Sequence, residues 1–239
     1  MRFILLSPGH PEVRVVSQSV GKLVVVNLAF LLLTQVAPLF PASTTPRKSF
    51  DPLQIRLRMY THARVPHEVI ERGVTQAAQV FRAIGIETAW LHCPTSPDQA
   101  ATNRTCAERL GPADFVIRIL PRAMSKKYGL PKAVFGFSLP TRKGRLGRIV
   151  NLFYSRVVDM AYYGSVGGGF ETAQAIILGH VLAYEIGHVL LGPGSHSESG
   201  IMSFPWGRKQ LLDGSRRRLR FTEAEAATLR KRLRAGLEP

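Results

Sequence analysis

The sequence predicts an α+β fold in which a twisted mixed sheet packs against one long helix. Apolar and polar residues alternate in Ile55–Tyr60 and in Phe115–Leu120, as in half-buried strands. Apolar residues at helical spacing follow the first of these strands, and Glu171–Leu191 is a long apolar run without proline. The chain has 239 residues, 45% of them hydrophobic, which is enough to bury a core of this kind.

The first half of the chain alternates strands with a helix. Ile55–Tyr60 is followed by a predicted helix over Pro66–Ile84, and Gly85 supplies its C-terminal cap. Further strands are predicted at Ile86–Leu91 and at Phe115–Leu120. These segments predict a sheet built around one intervening helix.

The second half predicts a hairpin and two helices. The strands Val134–Leu139 and Arg148–Tyr154 flank a basic turn, residues 141–147. Gly192 ends the long helix, and Thr222 with Glu225 forms a capping box that opens a final helix.

The N-terminal segment is typical of an export signal. Leu23–Pro46 lacks charged residues, and Lys22 precedes its apolar core. We assign residues 1–43 to a signal peptide or an N-terminal anchor, and a merely buried apolar segment is the alternative. The chain is therefore expected to be exported, as a periplasmic, secreted or membrane-anchored protein. Residues 44–212 would form the main domain, and residues 213–239 a basic C-terminal helix or tail.

The two cysteines are interpreted in the light of export. Cys93 and Cys106 flank a stretch rich in Pro, Ser, Thr, Asp and Asn, which predicts a loop. A disulfide closing this loop would contribute roughly 3 kcal/mol. Two unpaired thiols are the alternative.

The net charge of +16 comes from 32 Lys and Arg against 16 Asp and Glu. Part of the excess lies near the C-terminus, where basic blocks at 216–220 and 230–234 could contact an anionic surface. Aromatic residues are not interleaved with these arginines, and no nucleic-acid-binding module is visible, so we expect no specific nucleic-acid partner. A solvated basic face is the simpler interpretation.

One segment has the spacing of a metal site. Residues four apart share a helix face, a glycine can end the helix, and the loop beyond it can return another ligand. Glu185, His188, Gly192 and His196 follow this order. His180 is a poor further ligand, because it precedes His188 by eight residues, about 12 Å along a helix.

This segment resembles the zincin metallopeptidases, and within them the metzincin-like branch and small exported bacterial proteins of matrixin-like appearance. The shared features are Glu-Ile-Gly-His, the following glycine, a later His-Ser and Gly-Ile-Met. The resemblance implies a zincin-like fold and a Zn²⁺ cofactor held by His188 and His196. It further implies that Glu185 acts as general base on a metal-bound water and that Met202 forms a hydrophobic floor. The substrate would be a peptide or protein.

The segment departs from the family pattern at two points. Tyr184 stands where the first zinc histidine is expected, and His196 follows His188 by eight residues where six are usual. Tyr184 could be a metal ligand through its phenolate oxygen, or its ring could pack on the helix with its hydroxyl bonded to Glu185 or His196. The corresponding functions are a zinc metallopeptidase and a catalytically inactive binding protein with the same fold.

Overall fold

A computed structural model describes residues 53–96, 98–99, 103–131, 133–138, 147–163, 169–192 and 194–237. These residues belong to one compact unit, Ser49–Pro239. The predicted leader, residues 1–43, lies outside the described residues, as does most of the predicted basic turn.

The strands and helices agree with the predicted ones to within two residues at each end, and short helices are added. The strands are β1 (Leu53–Thr61), β2 (Ile86–Cys93), β3 (Asp114–Leu120), β4 (Gly136–Ser138) and β5 (Ile149–Phe153). The helices are α1 (His67–Arg82), α2 (Arg104–Ala107), α3 (Arg122–Lys127), α4 (Tyr154–Tyr163), α5 (Phe170–Leu191), α6 (Arg208–Ser215) and α7 (Glu223–Leu237).

The sheet has the strand order β2-β1-β3-β5-β4. The pairs β1–β2, β1–β3 and β3–β5 are parallel, whereas β4 runs antiparallel to β5 at one edge. The predicted α+β class, with a mixed sheet packed against a long helix, is confirmed. The predicted hairpin is confirmed in its antiparallel pairing, but its second strand ends at Phe153 because Tyr154 begins α4.

The core lies between one face of the sheet and the helices α1 and α5. Ile55, Leu57 and Ile117 are fully buried in one cluster with the apolar residues of both helices. The two helices approach closely where both carry glycine. A Cβ on Gly179 would lie 2.6 Å from the Gly73 carbonyl oxygen, so a larger residue there would force the helices apart.

The opposite face of the sheet is partly covered by the loop between β2 and β3. Cys93 and Cys106 form the predicted disulfide across this loop, with their Cα atoms 5.7 Å apart. Arg58 is 1% exposed and pairs with Asp114 at 3.0 Å. It also donates to the carbonyl oxygens of Cys106 and Glu108. A buried, paired guanidinium therefore attaches this loop to β1.

The basic C-terminal residues take part in the fold. The predicted capping box opens α7. The Thr222 amide donates to the Glu225 carboxylate at 2.7 Å, and the Glu225 amide donates to the Thr222 hydroxyl oxygen at 3.3 Å. Arg230 donates to the carbonyl of Ile84 just beyond α1, and Arg232 donates to that of Leu190 in the last turn of α5. Cations at helix C-termini also interact favourably with the helix dipole.

Among the described residues, α5 alone is long and apolar enough to cross a membrane, with 22 residues and a hydropathy of 1.4. Within its most apolar window, 83% is buried inside the protein. This burial is typical of a core helix.

Candidate metal centre

The helix α5 places three of the predicted site residues together. Tyr184 and His188 are one turn apart, and their rings meet edge to face with centroids 4.5 Å apart. Glu185 lies between them in sequence and is 3% exposed. Helix α5 is apolar on nearly all sides and is therefore buried in the protein. These polar groups consequently lie in the interior.

The loop after α5 returns His196 to the helix. Gly192 has φ +95°, a conformation that favours glycine, and its amide donates to the His188 carbonyl at 2.9 Å. The His196 amide then donates to the carbonyl of Gly194 at 2.8 Å, which tightens the turn. The His196 ring centroid lies 5.0 Å from that of His188. The loop therefore brings the imidazoles of His188 and His196 together, although eight residues separate them in sequence.

The Tyr184 hydroxyl lies 3.1 Å from Nε2 of His196, within hydrogen-bonding distance. Of the two arrangements that the sequence left open for a packed tyrosine, this structure has the bond to His196. Burial, and secondarily the charge of Glu185, raise the pKa of Tyr184 well above its usual range. The phenol is therefore neutral at physiological pH in this structure.

Aromatic residues from two other segments enclose Tyr184. Its ring centroid lies 5.3 Å from that of Trp206 and 6.5 Å from that of Phe135. Trp206 is fixed by a hydrogen bond from its Nε1 to the Ile201 carbonyl at 3.1 Å. Neither neighbour is predicted from the sequence. Trp206 follows Met202 closely, but Phe135 reaches the site only through the tertiary fold.

Glu185 faces the edge strand β4. A Cβ on Gly136 would lie 2.9 Å from the Glu185 carboxyl carbon, so glycine is required for this approach. Burial raises the pKa of Glu185 to about 8, and a hydrogen bond from the Gly136 backbone opposes the shift. The carboxyl group, with a pKa of about 8, is therefore mostly protonated at neutral pH in this structure.

His188 is held by a residue that sequence analysis did not select. Its Nδ1 lies 3.1 Å from the Ser195 hydroxyl oxygen, which leaves Nε2 as the other donor atom. Burial, followed by the neighbouring His196, lowers the pKa of His188 to about 4. A neutral imidazole whose second nitrogen is oriented by a hydrogen bond is the form that binds metals.

Met202 lies under α5. It is fully buried, and a Cβ on Gly187 would approach its sulfur to 2.8 Å. The Ser197 amide donates to the Met202 carbonyl at 3.1 Å, which closes the loop that carries His196. The methionine thus packs beside Gly187, the residue that precedes His188.

One pair of donor atoms at this site has a spacing compatible with binding to one metal ion. Two ligands bound tetrahedrally to zinc at about 2.0–2.1 Å lie roughly 3.3 Å apart. The distance of 3.1 Å between the Tyr184 oxygen and His196 Nε2 is close to this value. Within the described part of the chain, no three His, Cys, Asp or Glu side chains are grouped to hold a metal. A metal site here therefore needs the Tyr184 oxygen beside the two imidazoles.

His180 is a core residue one helical turn before Tyr184, and its contacts are with residues outside this centre. It is 1% exposed, and its Nδ1 lies 2.8 Å from the Ile176 carbonyl oxygen. Its ring packs against Gly214 of α6. Burial lowers the pKa of His180, and the contact with Ile176 opposes the shift.

A cavity of about 680 Å³ adjoins the aromatic wall of the site. Phe135 and Trp206 separate it from Tyr184, and Leu130 and Met160 add apolar surface. Charged residues of α3 and α4 line the rest of it, including Lys126, Arg156 and the ion-paired Arg122 and Asp159.

The chain matches no protein-family model and no curated protein. One solved structure similar to it is a zinc-dependent peptidase from Methanocorpusculum labreanum (strain Z). That structure has a TM-score of 0.47 and 14% sequence identity, over 72% of this chain and 99% of the other.

Proposed function

We propose that this chain is a zincin-type zinc metallopeptidase. The observation that carries the proposal is the convergence of Tyr184, His188 and His196. Glu185, next to Tyr184 on the same helix, is buried with them. The zincin resemblance of the sequence, from Glu185 to Met202, supports the same conclusion.

In this proposal His188 and His196 hold the metal through Nε2, and the Tyr184 oxygen is the third protein donor. A bound zinc ion supplies Lewis-acid polarisation of a coordinated oxygen. Ser195 orients the His188 ring through Nδ1, as outer-shell partners of metal-binding histidines do. The raised pKa of Tyr184 implies weaker metal binding than a third histidine would give.

Glu185 is the proposed general base. A group whose pKa is close to the working pH can both accept and return a proton, and burial brings the pKa of Glu185 to about 8. Its carboxylate would take a proton from water and deliver it to the leaving amine. The adjoining cavity of about 680 Å³ offers space for a substrate side chain against Phe135 and Trp206.

The test is zinc-dependent cleavage of a mixed peptide library by the full chain. Replacing Glu185 with Gln should lower cleavage by about 10²-fold or more, the usual range for loss of a general base. Glu171→Gln is the matched control, because Glu171 lies in the first turn of the same helix, remote from the site. Cleavage that is independent of zinc, or equal in both variants, would contradict the proposal.

A catalytically inactive binding protein is the second candidate. It is favoured by the hydrogen bond between Tyr184 and His196, which satisfies both groups without a metal. Tyr184→His distinguishes the two candidates. If this variant gains peptide cleavage that the wild-type chain lacks, the inactive protein is the correct assignment.

Export is proposed on the sequence of Leu23–Pro46 and is supported by the disulfide, because disulfides persist in oxidising compartments. Fusion of residues 1–52 to a reporter that is active only outside the cytoplasm tests this proposal of export.

Contact with an anionic surface is a separate proposal that rests on exposed basic residues such as Arg216, Arg217 and Lys231. Their joint replacement by Gln should reduce salt-sensitive retention on anionic vesicles.

A further inference from the structure

The face of the sheet opposite α5 carries a row of polar side chains on three adjacent strands. Tyr60 on β1 is the register partner of Arg118 on β3, and Arg118 is the partner of Asn151 on β5. Register partners in a parallel sheet point to the same side. The three side chains therefore lie next to one another on the face away from the candidate metal centre.

These three residues form the floor of a cavity of about 600 Å³. Helix α3 and the residue after it form one wall, through Met124 and Tyr128. The disulfide-closed loop lies at another edge, where the Tyr60 hydroxyl donates to the Cys106 carbonyl at 3.3 Å. The cavity thus combines a polar floor with an aromatic and apolar wall.

The guanidinium group of Arg118 can bind an anion, because no acidic side chain of the described residues pairs with it. Its side chain is exposed and, within the described part of the chain, makes no ion pair, and no acidic residue lines the cavity. Arg58, two residues before Tyr60 on the same face, is instead buried, and its two terminal nitrogens bond to Asp114 and to loop carbonyls. An arginine on this face can therefore be paired internally, whereas Arg118 has no ion-pair partner among the described residues.

Asn151 is also incompletely satisfied. It is 5% exposed, and among the described residues its amide nitrogen makes one long hydrogen bond, 3.5 Å to the Phe137 carbonyl. A buried carboxamide normally has partners for its oxygen as well. Among the described residues, its side-chain carbonyl oxygen accepts no hydrogen bond, so it is available to an N–H from a molecule in the cavity.

We propose that this cavity binds a small N-acylated amino acid with an aromatic side chain. The carboxylate would pair with the Arg118 guanidinium, whose fork of N–H donors matches two carboxylate oxygens. The amide N–H would donate to Asn151, and the ring would pack against Tyr60, Tyr128 and Met124. This site is separate from the proposed peptidase centre and does not require it.

The probe is N-acetyl-L-phenylalanine, and its primary amide is the matched ligand without the carboxylate. Titration calorimetry on the full chain should give a Kd of about 1 mM or tighter for the acid. The amide should bind about tenfold more weakly or worse, because it lacks the charge that pairs with Arg118. Acetate should also bind more weakly, because it lacks the ring and the amide.

Arg118→Gln should weaken binding of the acid about tenfold or more. Arg64→Gln, which removes an exposed arginine outside the cavity, should leave binding unchanged. Thermal unfolding of both variants checks that the fold is intact. Equal affinity for acid and amide, insensitivity to Arg118→Gln in a folded variant, or no binding of the acid would each overturn the proposal.

Discussion

At the first position of the Tyr-Glu-x-x-His run, a phenol replaces the imidazole that the zincin pattern expects. Tyr184 fills this position with a ring packed against Trp206 and Phe135, and with its oxygen 3.1 Å from His196. A metal ion binding here must break this hydrogen bond and draw on an oxygen whose pKa burial has raised. The hydrogen bond between Tyr184 and His196 therefore aligns the two donor atoms but also weakens their affinity for a metal.

Sequence reasoning selected the residues whose positions depend on local geometry. Glu185 and His188 follow from helix periodicity, and His196 follows from the glycine that ends the helix. Ser195 and Gly136 were missed for different reasons. Ser195 is recognisable only once the His188 ring orientation is known, and Gly136 contacts Glu185 through the placement of an edge strand far away in sequence.

Buried His180 makes the stability of the protein depend on pH. Burial lowers its pKa in the folded chain, so the unfolded chain binds a proton more readily. Stability contributed by neutral His180 is present above about pH 6.5 and is lost as the pH falls toward the folded-state pKa. In His180→Gln, urea unfolding at pH 7.5 and 5.5 should show a smaller loss of stability on acidification than in the wild type.

The control for this experiment is His67→Gln. His67 lies on α1 with its side chain 87% exposed, so its imidazole meets solvent in the folded and the unfolded chain. An identical pH dependence in the wild type and His180→Gln would contradict the assigned role of His180.

Helix α5 is enclosed by the rest of the protein. Other elements approach it most closely at its glycines. Gly179 meets α1, and Gly187 meets both Met202 and Phe221. Glycine lowers helix propensity, so its presence in the middle of α5 is explained by packing. The contact at Gly187 connects the helix that carries His188 to the turn that follows His196.

Gly187→Ala should destabilise the protein by about 1–3 kcal/mol, the range for overpacking. The new Cβ would lie 2.8 Å from the Met202 sulfur and 2.9 Å from the Phe221 ring. Helix propensity alone would favour alanine by about 1 kcal/mol, so the sign of the change distinguishes the two effects. Gly236→Ala in α7 is the control, because its Cβ meets no atom within 4 Å and should be neutral or stabilising. A stabilised Gly187→Ala variant would contradict this packing.

Most long elements were predictable, and the short helices were not. Strong periodicity marked α1 and β3, whereas α4 was missed and its first residue was assigned to a strand. The α4 sequence is rich in valine and tyrosine, which favour strands. Tertiary packing overrides that preference, because Val157 and Ala161, one turn apart, are both buried in the core.

On the scale of the whole molecule, the sheet separates two regions of different chemistry. The face with Ile55 and Leu57 packs on α1 and α5 and supports the candidate metal centre. The other face carries Arg58, the disulfide loop and the cavity over Arg118. The excess of positive charge that is prominent in the composition is partly used within the fold, as at Arg230 and Arg232.

Replacing both Cys93 and Cys106 with Ser should lower the free energy of unfolding by roughly 3 kcal/mol, because the unfolded chain loses its closed loop. Chemical denaturation under non-reducing conditions measures the difference. Reducing agent should destabilise the wild type by a similar amount and leave the double variant unchanged. A double variant as stable as the oxidised wild type would contradict this role of the disulfide.

We propose that Tyr184, His188 and His196 form one metal centre, and X-ray absorption at the zinc edge of the zinc-loaded full chain is the sharpest test of this claim. We expect one zinc per chain, coordinated by two imidazoles with oxygen as the remaining ligands, and loss of this signal in His196→Ala. A chain that retains no zinc after loading, or whose zinc spectrum is unchanged in His196→Ala, would contradict the claim.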